Sequence, residues 1–123
     1  MKHDMTPGIV LFAHGSRDPL WRLPVEAVAA RVRVLNPAVP VRCAYLELTA
    51  PDLPAAVAEL VADGVGAIRI LPLFLGVGRH AREDLPVLLV ALRERHPTVT
   101  FSLLPAIGED PRVTDLLARI ALG

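Results

Sequence analysis

The chain is poor in cysteine and aromatics, carries no net charge, and contains no long apolar run. Cys43 is its one cysteine, so an internal disulfide is excluded. Such cysteine usage fits a reducing compartment. The thiol sits within Val41-Arg42-Cys43-Ala44-Tyr45, a strand-like setting that reads it as a small buried hydrophobe. Lys and Arg total 13, as do Asp and Glu. This balance removes any global electrostatic case for nucleic acid or an anionic membrane as partner. Arginines are unevenly spread, so a local basic patch stays open. No GxxxxGK[ST] motif is present to cradle a nucleotide's phosphates. The apolar run Gly8 to Ala13 stops at His14, far short of a bilayer span. Residues 1–7 hold no hydrophobic region of signal-peptide length. The expectation is a soluble, cytoplasmic protein.

What the chain has is 53% apolar residues, mostly Ala, Val and Leu, in 123 positions. That length fits one domain, expected over residues 8–123 after a tail at 1–7, and it can bury a core without staples. Short apolar runs at Gly8–Ala13, Val39–Leu46, Ala67–Phe74 and Val99–Leu103 read as strands. Helical spacing predicts helices over Leu20–Leu35 (the regular part from near Pro24), Pro54–Ala62, Leu85–Arg95 and Pro111–Leu122. Asp18, Asp52 and Asp110 read as helix caps, two of them directly followed by proline, and Gly64 reads as a stop. Strict β-α alternation implies an α/β fold: a four-stranded parallel sheet with right-handed crossovers and helices on both faces.

In such a sheet ligands bind beyond the carboxyl ends of the strands. Those ends carry His14-Gly15-Ser16-Arg17, Glu47, the segment Gly76 to Asp84, and Pro105 to Glu109. The third exit is the richest, with Gly76 and Gly78 followed by Arg79, His80, Arg82, Glu83 and Asp84. His3 and His96 read as tail and helix-end residues, whereas His14 and His80 each follow a strand and lie near glycine. Two imidazoles and the Glu47 carboxylate suit a divalent borderline metal held in an open shell, and imidazole also accepts protons near neutral pH. Arg17, Arg79 and Arg82 beside them suit an anionic substrate, since guanidinium forks pair with carboxylates and phosphates. Ser16 can donate to a substrate or cap its turn. Glu83 and Asp84 can offset the arginines or begin the third helix.

These residues resemble a known family. His14-Gly15-Ser16-Arg17-Asp18-Pro19, Tyr45-Leu46-Glu47 and the run from Pro72 through Gly76-Val77-Gly78-Arg79-His80 to Pro86 are similar to the small sirohydrochlorin cobaltochelatases. Those belong to the class II, ATP-independent tetrapyrrole chelatases, together with siroheme ferrochelatases. The resemblance implies a three-layer chelatase-like half-domain that assembles as a homodimer around a tetrapyrrole. It implies that His14 and His80 bind metal and accept pyrrole protons, with Glu47 as the acid after the second strand. Ser16, Arg17, Gly76, Gly78, Arg79 and Arg82 would bind substrate. The metal, Co2+ with Fe2+ or Ni2+ as alternatives, is substrate, and no tightly bound cofactor is implied. The histidine-rich insertion of some archaeal members is absent here. Other readings of the same residues are a non-catalytic metal or tetrapyrrole carrier and a histidine-phosphatase-like phosphotransferase. The latter normally has arginine before its first histidine, where this chain has Ala13.

Overall fold

A computed structural model describes residues 7–123; the tail expected at 1–7 and His3 fall outside it, apart from Pro7. The elements run β1 (Gly8–Ala13), α1 (Leu23–Leu35), β2 (Val41–Tyr45), α2 (Leu53–Ala62), β3 (Ala67–Pro72), α3 (Arg79–Arg95), β4 (Thr100–Leu103), a 3-10 turn (Ile107–Glu109) and α4 (Pro111–Leu122). All ladders are parallel, and the strand order is β2-β1-β3-β4. This is the expected α/β architecture.

The core follows from side-chain alternation on β1. Val10 and Phe12 pack on one face with Ala56, Val57 and Leu60 of α2, Leu92 of α3, and Ile68 and Ile70 of β3. Leu11 and Ala13 pack on the other with Val25 and Ala29 of α1 and with Val41 and Tyr45 of β2. The α2/α3 side is deep. The other side is thin, because α1 buries only Val25 and Ala29, and α4 buries no residue. Val113 and Leu116 of α4 line a cavity of about 810 Å³ with Leu71 of β3 and Leu104 just past β4.

Two of the expected caps form as read. Asp52 accepts from Ala55 N–H at 2.9 Å, and Asp110 accepts from Arg112 N–H at 2.8 Å. The fork of Arg112 holds the Asp110 carboxyl down at about 2. Asp18 differs from expectation. It accepts from Leu20 N–H at 2.9 Å and closes a turn, and α1 begins only at Leu23 with no side-chain cap. Successive turns, closed by Trp21 N–H on the Asp18 carbonyl and Leu23 N–H on the Leu20 carbonyl, carry the chain to the helix, and Pro24 sits in its first turn, where a missing N–H costs no helical bond.

The largest correction concerns α3, which starts at Arg79 and not at Leu85. The polar run after Gly78 is therefore the first two turns of a helix. Pro86 lies inside that helix, not at its start. Its missing N–H leaves the Arg82 carbonyl without the usual helical partner, at a place where Arg82 and Pro86 are both exposed to water. Ala81, Leu85, Leu88 and Leu92 keep helical spacing across the proline and pack on the core, which outweighs the lost bond.

Candidate active site

The strand order sets the location. The chain steps from β1 outward to β2, then returns across β1 to β3, so connectivity reverses between β1 and β3. In open α/β sheets the crevice lies outside the strand ends at such a switch point. His14 leaves β1 on one side of it. Gly76, Gly78 and His80 follow β3 on the other, and Glu47 follows β2 next to β1. Among the described residues, no three His, Cys, Asp or Glu side chains are grouped so that they could hold a metal ion.

His14 is exposed but not loose. Its ring stacks on Phe74, with centroids 4.3 Å apart, and Phe74 is itself buried against Phe12. One imidazole face is thus seated on the core while the ring edge meets solvent. The ladder extends past the strands to hold the loops. Leu73 N–H donates to the Phe12 carbonyl at 2.7 Å, and Glu47 N–H donates to the His14 carbonyl at 2.9 Å. Glu47 is thereby beside His14 along the backbone, with its side chain exposed.

Two glycines carry close approaches. Gly15 has φ +104, and a Cβ there would stand 1.7 Å from the Glu47 carbonyl oxygen. A Cβ on Gly108 would stand 1.5 Å from the Leu75 carbonyl oxygen, while Gly108 N–H donates to the Phe74 carbonyl at 3.1 Å. The first pair ties the β1 exit to the β2 exit, and the second ties the β3 exit to the β4 exit. Gly76 and Gly78 are different: open space lies where their side chains would be. The backbone there is accessible to a flat ligand.

Ser16 closes its own turn. Its Oγ accepts from Asp18 N–H at 3.1 Å, which leaves the hydroxyl proton available. Of the arginines, Arg79 is engaged: its Nε donates to Glu83 at 3.2 Å, one helical turn on. Glu83 therefore offsets an arginine. Arg17 and Arg82 form no salt bridge among the described residues. Arg82 lines a cavity of about 330 Å³ beyond β3 and β4 with Pro72, Val77, Pro105 and Glu109. Asp84 is exposed in the second turn of α3, and no hydrogen bond or salt bridge of its side chain is seen among the described residues. Phe74, which seats His14, and Thr49, which bonds Ser16, were not singled out by sequence reasoning; Gly108 and Glu109 lie in the fourth strand exit, which it placed on this edge without giving either a role.

Among the described residues, no helix is long and apolar enough to cross a membrane. Comparison with known proteins gives a consistent picture. A solved CbiX protein from Marinobacter aquaeolei VT8 superposes with a TM-score of 0.81 at 31% identity, over 95% of this chain and 93% of that one. A sirohydrochlorin cobaltochelatase from Methanopyrus kandleri is 36% identical over 81 residues, covering 66% of this chain and 57% of the relative. The match thus spans little more than half of that relative's length. A sirohydrochlorin ferrochelatase from Priestia megaterium is 29% identical over 117 residues, which is 94% of this chain but 44% of that protein. The family model described as CbiX matches residues 8–121, nearly the whole chain, and the protein belongs to the CbiX family.

Proposed function

We propose that this protein inserts a divalent metal, Co2+ foremost, into sirohydrochlorin without ATP, in cobalamin or siroheme biosynthesis. The observation that carries the reading is the seated imidazole of His14 at the switch point, with Glu47 beside it and open glycine backbone across from it. Insertion needs bases for the pyrrole N–H protons, and neutral imidazole is a suitable acceptor near pH 7. The metal must also shed water stepwise. An open His and Glu shell supplies exchangeable ligands, and the macrocycle's nitrogens complete the set. In this reading His14 and His80 bind metal and take up protons, with Glu47 assisting. Ser16, Arg17, Gly76, Gly78, Arg79 and Arg82 receive the macrocycle and its carboxylate arms, and Arg82 is best placed because it opens on a cavity.

The working unit in this proposal is a cytoplasmic homodimer. One half-domain offers its strand exits as a single wall, whereas a site normally buries most of its ligand. The apolar stripe Val113, Leu116, Leu117 and Ile120 of α4 has no buried member, and Val28, Val34 and Leu35 of α1 are exposed as well. A monomer at micromolar concentration in analytical ultracentrifugation would count against this.

A second reading, iron insertion, is favoured by the Priestia ferrochelatase. Imidazole and carboxylate accept Co2+, Fe2+ and Ni2+ alike, so a rate comparison decides. Anaerobic insertion into sirohydrochlorin is followed by absorbance with each metal, with and without protein. A chelatase accelerates insertion and prefers one metal. A carrier leaves every rate at its protein-free value.

A further inference from the structure

We propose that Thr49 is a positioning residue whose hydroxyl clips the His14 loop to a strained turn carrying Glu47. The inference rests on the assignment of His14 and Glu47 to the reaction. Thr49 Oγ1 engages both main-chain groups of Ser16. It accepts from Ser16 N–H at 3.0 Å and donates to the Ser16 carbonyl at 2.7 Å. The two residues are 33 positions apart, so the contact is not a local turn of the kind threonine makes with its neighbours. It joins the exits of adjacent strands.

The turn that Thr49 closes is itself unusual. Thr49 N–H donates to the Glu47 carbonyl at 2.8 Å, a bond spanning only Leu48. Leu48 sits at φ +64, which a side-chain-bearing residue rarely adopts. This γ-turn geometry is strained, and such strain persists only where surroundings over-determine it. Leu48 is 55% exposed, so burial of its side chain does not impose the conformation. The constraint comes from three contacts. Glu47 N–H is held by the His14 carbonyl, the Glu47 carbonyl seats against Gly15, and the Thr49 hydroxyl grips Ser16. The next anchor downstream is the Pro51 carbonyl, which accepts from Tyr45 N–H at 2.9 Å, so without the hydroxyl the turn between Glu47 and Pro51 can relax. The Glu47 N–H bond to His14 remains, but the turn that sets the direction of the Glu47 side chain is no longer fixed, while the strands beneath are untouched.

The test uses Thr49→Val, which keeps shape and removes the hydroxyl, and Thr49→Ser, which keeps the hydroxyl. Thr49→Ser is expected to retain wild-type kcat for metal insertion. Thr49→Val is expected to lower kcat about ten- to a hundred-fold, the scale of a misplaced catalytic group. Repeated in a Glu47→Gln background, Thr49→Val should cost less than about two-fold, because the group it positions is already disabled. Wild-type kcat in Thr49→Val, or an equal loss in both backgrounds, overturns the proposal. Hydrogen exchange at the Ser16 amide reads the clip without any insertion assay. It should be slow in wild type and Thr49→Ser and at least about ten-fold faster in Thr49→Val. Unchanged exchange in Thr49→Val also overturns the proposal. A wild type that inserts no metal yet shows hydroxyl-dependent exchange would instead overturn the functional assignment.

Discussion

Replacing Gly15 by alanine is the sharpest structural perturbation available at the site. The new Cβ would fall 1.7 Å from the Glu47 carbonyl oxygen, and contacts under 3.0 Å do not occur, so the oxygen must retreat by about 1.3 Å. That oxygen accepts from Thr49 N–H across the strained turn at Leu48, and the Glu47 N–H donates to the His14 carbonyl. Retreat therefore disrupts about two hydrogen bonds, at about 0.5–1.5 kcal/mol each. Alanine at φ +104 adds conformational strain of about 1–3 kcal/mol. The sum is about 2–6 kcal/mol, which for a domain of this size lowers Tm by about 8–24 °C. Gly64→Ala is the matched control. Gly64 has φ +89 but open space around it, so that variant meets strain without collision. Urea melts followed by far-UV circular dichroism measure both. Gly15→Ala should lose clearly more than Gly64→Ala. Equal losses would show that the approach of Gly15 to Glu47 does not tie the two strand exits together.

Other consequences follow from single features. Arg82→Ala should raise KM for a polycarboxylate macrocycle about ten-fold or more, whereas Arg79→Ala should raise it less than about three-fold, because Arg79 is exposed and already paired with Glu83. Equal KM changes in steady-state insertion assays would remove the distinction. Tyr45 is buried, and its Oη has no hydrogen-bond partner among the described residues. Burial, then the neighbouring Cys43, pushes its hydroxyl up to about 12. Tyr45→Phe should therefore be neutral or stabilising by up to about 1 kcal/mol in urea melts, and a loss above about 1 kcal/mol would contradict this. Asp110 has a carboxyl held at about 2, below its ordinary 3.8, by Arg112. A depressed carboxyl contributes stability above its unfolded pKa and loses it as pH falls through the folded value. The stability gap between wild type and Asp110→Asn should be constant above about pH 5 and shrink toward pH 2. A gap that does not vary with pH would refute the pairing.

The sheet was legible because each strand is a short apolar run bounded by turn residues, and because parallel topology gathers the strand exits on one edge. Candidate site residues could be placed on that edge without distances for the same reason. Helix starts were legible where a carboxylate is followed by a suitable first turn, as at Asp52 and Asp110. They were not legible at α3, where Gly78 offers no side-chain cap and Pro86 mimics a start, although the helix begins seven residues earlier at Arg79. Asp18-Pro19 carried the same signal as Asp110-Pro111, yet it closes a turn, because successive turns carry the chain to Leu23 before the regular helix begins. The seating of His14 was out of reach, since Phe74 lies 60 positions away and reads only as the end of an apolar run. So was the Thr49 clip, which exists only once β1 and β2 are paired in register.

The central claim is that His14 and His80, from opposite sides of the switch point, act together on metal and pyrrole protons. Anaerobic single-turnover insertion of Co2+ into sirohydrochlorin by wild type, His14→Ala and His80→Ala tests it most directly. Each substitution should lower the insertion rate by at least about a hundred-fold, with native circular dichroism retained. Wild-type rates in both variants would contradict it.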